Sequence, residues 1–327
     1  MKTCFTCLVL CLMSLAVGAQ VAQLPGKGLS QHPFLYAGEW DYRNPMQTLW
    51  VVRDGKVAWS YGIPIKAPNG ELQELGDAHM LSNGNILFSR KVGASEITPD
   101  KKIVWNYEAP PKCEIHTTQP IGKDRVMLMQ NGNPAKLLII NKVTGKTEKE
   151  LIIPTSRPDS PHGQFRHVRM TRAGTFLVAH MEGKVVEYDS AGKVLWSVDV
   201  PSPWAAVRLK NGNTMISGDA SRYAREVNPK GETVWEFTQK DLPGFSLFNV
   251  QEVNRLANGN TVICSWCANG IKDAKDWPGS VQVFEVTPDK KIVWALSSWQ
   301  APADLGPASA IQLLDEPGIV ENGDLQR

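Results

Sequence analysis

At 327 residues, 42% of them hydrophobic, and with 35 Lys and Arg against 33 Asp and Glu, the chain has the composition of a folded protein and excludes general disorder. A formal net charge of +2 gives no basis for nucleic acid or an acidic membrane surface as a partner. The length accommodates two domains or one large repeat architecture.

Residues 1–19 read as a cleaved signal peptide. Lys2 supplies a short basic start, Cys4 to Val17 is almost wholly apolar, and Val17-Gly18-Ala19 provides the small residues a signal peptidase requires. The apolar run is too short for a membrane span of about 20 residues. The expectation is therefore a periplasmic or secreted protein with no integral membrane segment after cleavage. Cys4, Cys7 and Cys11 leave with the signal, so the mature chain keeps Cys113, Cys264 and Cys267. An odd number does not suggest a disulfide framework. Residues 20–33 read as an N-terminal linker.

From residue 34 onward one unit recurs. Gly55-Lys-Val-Ala-Trp59, Lys101-Lys-Ile-Val-Trp105, Gly192-Lys-Val-Leu-Trp196, Gly231-Glu-Thr-Val-Trp235 and Lys290-Lys-Ile-Val-Trp294 share a pattern, and Gly145-Lys-Thr-Glu-Lys149 fills the remaining place with Lys149 for Trp. The period of about 48 residues is that of a propeller blade. Within each unit, turns such as Asn83-Gly84, Asn211-Gly212 and Asn258-Gly259 separate the first two strands, and Thr98-Pro99-Asp100 or Thr287-Pro288-Asp289 precedes the last. The first unit lacks a first strand, and the chain finishes with Ser309-Ala-Ile-Gln-Leu-Leu-Asp315, a first strand without followers. Pairing the two closes the ring and removes an exposed sheet edge. The expected fold is all-β: a single six-bladed β-propeller over residues 34–327, with four-stranded antiparallel blades. The repeated Trp residues are expected to pack blade against blade.

The loops between blades, and those between second and third strands, are irregular and rich in His, Arg and Trp. Chain direction places both classes at one end of the ring, beside the central channel, where a binding site is expected. His79, His116 and His167 begin or precede inner strands and are the candidate catalytic groups. Arg90, Arg166, Arg169 and Arg208 are candidate clamps for an anionic group. Gln119 and Gln251 are candidate hydrogen-bonders, and Trp204 and Trp266, with Trp277, a candidate stacking platform. A Gly-rich phosphate loop, a Gly-x-Ser-x-Gly elbow and His-Glu-x-x-His do not occur. Cofactors are not expected, although a divalent metal bound by residues of several blades would leave no local spacing.

The Gly-Lys-Val-x-Trp and Asn-Gly-Asn units resemble those of PQQ-like β-propeller repeat proteins. Over the mature chain, His32-Pro-Phe-Leu-Tyr-Ala-Gly-Glu-Trp40, Leu81 to Arg90, His162-Gly-Gln-Phe-Arg-His167 and Leu305-Gly-Pro-Ala-Ser309 are similar to secreted bacterial members of that group. The resemblance implies the propeller fold and no fixed activity. Quinone dehydrogenases of this class have eight blades, so six speak against bound PQQ. A more distant likeness is to bacterial arylsulfotransferases, exported six-bladed propellers with a His sulfate acceptor at the channel mouth. That would assign His116 or His167 as nucleophile and Arg166 or Arg169 as clamp. The leading expectation is a small anionic or carbohydrate ligand at this face, bound or processed by lyase or glycosidase chemistry. The competing expectation is a non-catalytic surface for a protein partner.

Overall fold

Each repeat unit forms an antiparallel four-stranded blade, and its turns show why. In blade 2 the Leu81 N–H donates to the Asn85 carbonyl (2.8 Å) and the Gly84 N–H to the Leu81 carbonyl (2.9 Å). This turn requires a left-handed residue, and Gly84 supplies it at φ 85° without a Cβ clash. The same bonds recur around Gly212 and Gly259. In a computed structural model describing residues 24–324, six such blades form a six-bladed β-propeller. The expected signal peptide lies outside the described residues.

Blades 2 to 6 have as inner strands Leu75–Met80, Glu114–Ile121, Phe165–Met170, Pro203–Arg208 and Asn249–Arg255. Blade 1 contains Phe34–Gly38, Met46–Arg53 and Lys56–Pro64 and takes its inner strand, Ala308–Leu313, from the far end of the chain. Phe34 pairs with Leu313 and Tyr36 with Ile311, so the ring closes by the expected strand exchange. The segment expected as a linker lies against blade 6 over its described part. There the Ala295 N–H donates to the Pro25 carbonyl (3.0 Å) and the Trp294 indole N–H to the Gly28 carbonyl (2.9 Å).

Three of the repeated Trp residues join blade to blade through the same bond. The indole N–H of Trp59 donates to Pro99 O, that of Trp196 to Pro229 O, and that of Trp235 to Pro288 O, each in the last turn of the next blade. Carboxylates form a second seam. Glu187 holds Arg208 of the next blade while Arg208 lies over the Trp196 ring, and Glu226 holds Arg255 over Trp235 in the same way. The indole covers the guanidinium face and the carboxylate binds its edge, so each blade orients its neighbour.

Candidate functional site

Every inner strand carries one residue more than its partner at the same level. Gly76 and Asp77 together oppose Ser89, Arg166 and His167 oppose Ala179, and Gln251 and Glu252 oppose Cys264. His116, Trp204 and Ser309 are the extra residues of the other three blades. A β-bulge breaks the alternation of the pleat and re-aims the side chains around it. Ser89 Oγ accepts the freed Asp77 N–H (2.8 Å), and Ser217 Oγ accepts that of Ala205 (2.9 Å). The six bulges form a ring, and it carries most of the polar residues of the channel.

Where blades 2 and 3 meet the loop into blade 4, two imidazoles lie between two carboxylates. His116 Nδ1 is 3.2 Å from Glu74 Oε2, and its Nε2 is 2.8 Å from Glu114 Oε2. His162, half exposed above them, places Nε2 3.2 Å from Glu74 Oε1 and Nδ1 3.0 Å from Glu114 Oε2. Arg166 donates to the His162 carbonyl and to His162 Nε2 (3.0 Å), and its guanidinium lies 4.6 Å from the centre of the Trp204 ring. Two further carboxyls border the group. Asp219 accepts from Asn249 Nδ2 (3.0 Å), and Glu39, also buried, is joined to Ser309.

The environment separates these four carboxyls into two kinds. Burial opposes ionisation of Glu74, but Arg166, His116 and His162 outweigh it and hold the group at about 2. Glu114 is likewise held low against burial by hydrogen bonds from His116 and His162. Burial pushes Glu39 well above the usual carboxyl range, with the Glu74 charge adding to the effect, and raises Asp219 to about 6. Carboxyls held low by neighbouring cations and carboxyls raised by burial thus stand side by side.

A second layer lies deeper in the channel. Arg169 binds Asp77 through two bonds (2.6 and 2.7 Å), while His79 Nε2 and His167 Nε2 lie 3.6 and 3.8 Å from Asp77 Oδ1. Against burial, Arg169, His167 and His79 depress the Asp77 carboxyl well below its ordinary range. Glu252 accepts the Ile311 N–H (2.9 Å) and is raised to about 7 by burial and by the Asp77 charge. A cavity of about 20 Å³, the volume for one water, lies between His79, Arg169, Glu252 and Val320. Asp77, His167 and Glu252 bring ligand atoms together, but Arg169 already supplies their compensating charge.

Burial, with Arg169 and His79 adding to it, holds His167 neutral down to about 3. Its unfolded counterpart protonates near 6.5, so its contribution to stability is complete above that pH and is lost as pH falls toward 3. Glu252 acts in the opposite sense, losing stability as pH rises from its unfolded value toward 7. Thermal midpoints of wild type and His167→Gln, compared from pH 7 to 4, isolate the first effect. The variant should show a shallower acid decline, and parallel curves would show that His167 does not titrate on unfolding.

The structure brings His116 and Arg166 together at that junction, beside Trp204, and His79, His167 and Arg169 together beneath them. Other expected site residues lie elsewhere. Arg90 binds Asn106 and Glu108 within its own blade, and Arg208 belongs to the Glu187–Trp196 seam, bordering a groove of about 590 Å³ between blades 4 and 5. Gln119 bridges to Met170 through its amide (2.8 and 3.4 Å). Trp266 is buried with Trp277, Trp299 and Phe248 in a small aromatic core. Gln251 is buried in the bulge of blade 6, its Oε1 without a hydrogen-bond partner. Cys113, Cys264 and Cys267 are free thiols. Sequence reasoning missed the carboxylates Glu39, Glu74, Asp77, Glu114, Asp219 and Glu252. The available signal was their position: an acid within two residues of each His in Asp77-Ala-His79 and Glu114-Ile-His116, inside otherwise apolar strands.

Fold and repeats together define a β-propeller with PQQ-like repeats. A family model described as outer membrane protein assembly factor BamB matches residues 154–265, the span from the start of the loop into blade 4 to the second strand of blade 6. No curated protein matches the chain. Among solved structures, a protein of unknown function from Bacteroides caccae is 25% identical, with a TM-score of 0.73 over 86% of this chain and 97% of that one. A catalytically inactive histidine-to-alanine variant of virginiamycin B lyase from Staphylococcus aureus, with quinupristin, is 14% identical, with a TM-score of 0.55 over 86% and 90% of the two chains. A streptogramin B lyase structure is 12% identical, with a TM-score of 0.53 over 80% of this chain and 87% of that one. At this identity the lyases share the fold. Among the described residues, no helix is long and apolar enough to cross a membrane.

Proposed function

We propose that the protein is an exported propeller whose channel mouth binds a small polyhydroxylated ligand, a carbohydrate, in an enzyme-like site. The observation that carries this reading is a set of buried polar atoms without hydrogen-bond partners: Glu39 Oε2, Arg166 Nε and Trp204 Nε1. Buried polar groups are almost always paired, and a ligand is one way to complete them. One of these atoms belongs to a carboxyl and two are N–H donors, so the complementary ligand must both donate and accept. Sugar hydroxyls do both. A sulfate ester offers acceptors alone, and each nitrogen of His116 already faces a carboxylate oxygen. The sulfate-transfer alternative is therefore the weaker one. Export rests on the signal-like residues 1–19. The BamB family description supports a protein-interaction role for such repeats, and the lyases among the similar structures support an enzyme-like one. Buried orphan atoms favour the second.

The test is the thermal midpoint of metal-stripped protein against neutral, amino and uronic sugars and aryl sulfates. A sugar at about 100 times its Kd should stabilise by about 2.7 kcal/mol, a shift of several degrees. Trp204→Phe keeps an aromatic face and removes the N–H, and should weaken binding about tenfold. A panel without a shift, or a shift unchanged in Trp204→Phe and Arg166→Lys, would overturn the reading.

A further inference from the structure

We infer that Glu74, His116 and His162 form a binding site for a first-row divalent cation of the Zn²⁺ type. This deepens the reading of the mouth as an enzyme-like site, and its test does not depend on any sugar. One ligand atom from each of the three side chains lies within 4.8 Å of the other two. His116 Nδ1 and His162 Nε2 face the Glu74 carboxylate at 3.2 Å each. A tetrahedral ion with bonds of about 2.0–2.1 Å separates its ligand atoms by about 3.3–3.4 Å. Each imidazole nitrogen thus stands at about that spacing from one of the two Glu74 oxygens, within a set of ligand atoms that spans no more than 4.8 Å.

The far side of the two rings carries the second argument. Glu114 Oε2 lies 2.8 Å from His116 Nε2 and 3.0 Å from His162 Nδ1. One carboxylate oxygen is thus placed to accept the remote N–H of both imidazoles, and with a cation bound the nitrogens that face Glu74 would turn their lone pairs to it. Metal-binding histidines are oriented in this way, with an outer carboxylate fixing the tautomer. The bond from Arg166 Nη2 to His162 Nε2 agrees, because it requires a lone pair at that nitrogen. Two His and one carboxylate leave one position for water or substrate, the arrangement of an open, catalytic zinc site.

Two cations oppose the ion: Lys91, whose Nζ lies 3.4 Å from Glu114 Oε1, and Arg166, which lies nearer the ligand atoms. Its Nη2 is 3.9 Å from Glu74 Oε2 and must release His162 Nε2 when the cation binds. Removing this charge should therefore tighten metal binding while weakening the sugar, which separates the two readings.

The experiment is equilibrium dialysis of chelator-stripped, sugar-free protein against micromolar Zn²⁺, with bound metal read by atomic emission. Wild type should retain one equivalent. His162→Ala, at a half-exposed position that the fold tolerates, should lose at least 100-fold in affinity. Glu114→Gln should lose about 10–100-fold, and Arg166→Met should gain. Near-UV circular dichroism confirms that each variant is folded. Wild-type protein that retains less than a tenth of an equivalent overturns the proposal, as does retention unchanged in His162→Ala. Either result leaves the sugar reading to its own assay.

Discussion

Arg169→Met should be the most destabilising single substitution in the channel, costing about 3–5 kcal/mol and lowering the thermal midpoint by about 10 °C. Arg169 and Asp77 are fully enclosed and joined by two short bonds, so removing the guanidinium leaves a buried carboxylate without its principal counter-charge. Asp77 also accepts the Thr118 N–H (3.2 Å), which ties blade 2 to blade 3. The pH dependence supplies a signature that a packing defect would not produce. In wild type the Asp77 carboxyl titrates below its unfolded value, so its stabilisation is present above about pH 4 and is lost as pH falls further. Without Arg169 that contribution shrinks, and the gap between wild type and variant should narrow below about pH 4. The double variant with Asp77→Asn should recover part of the loss. Equal midpoints at neutral pH, or a gap independent of pH, would show that the pair is not a structural charge centre.

Removing residues 308–327 should abolish cooperative folding of the whole ring. The deleted strand pairs with Phe34–Gly38, and Ala308, Ile311 and Leu313 are buried with Trp294 and Leu296 of blade 6. Burial of Ile or Leu contributes about 1.5–3 kcal/mol each. The strand also binds both neighbours through polar groups: the Met80 N–H donates to Gln312 Oε1 (2.7 Å), and the Ile311 N–H to Glu252 Oε2 (2.9 Å). Beyond the strand, Glu321 accepts from Ser82 and bonds to Gly122 of blade 3. Truncation leaves Phe34–Gly38 as a long, apolar unpaired edge, which promotes aggregation. Adding the 308–327 peptide in trans should restore a soluble, folded ring in part. A truncated chain melting cooperatively near the wild-type midpoint would mean that five complete blades and a partial one are self-sufficient.

The blades, their number and the closure of the ring were legible in the amino-acid sequence because each depends on local, repeated chemistry. Asn-Gly turns require glycine at φ > 0, and Trp59, Trp196 and Trp235 each have their partner carbonyl in the Pro-bearing turn of the next repeat. The Arg208 seam was legible in principle, since Arg255 repeats the same position ahead of the next Asn-Gly turn and lies over the next Trp. Arg166 and Arg208 are both inner-strand arginines, yet one belongs to the candidate site and the other to a seam between blades. The difference is position along the strand: Arg166 lies in the bulge near the start of its strand, and Arg208 ends its strand at the level of Met170. A bulge shifts the parity of the pleat, and periodicity arguments assume that parity is unbroken. The meeting of Glu74, Glu114, His116 and His162 was not legible, because it joins blade 2, blade 3 and the loop into blade 4. Local sequence thus determined the repeating blade, where turns and neighbouring strands satisfy their own backbone bonds. Tertiary structure alone decided the site, because only the closed ring brings bulges from separate blades around one axis and buries their charges within reach of each other.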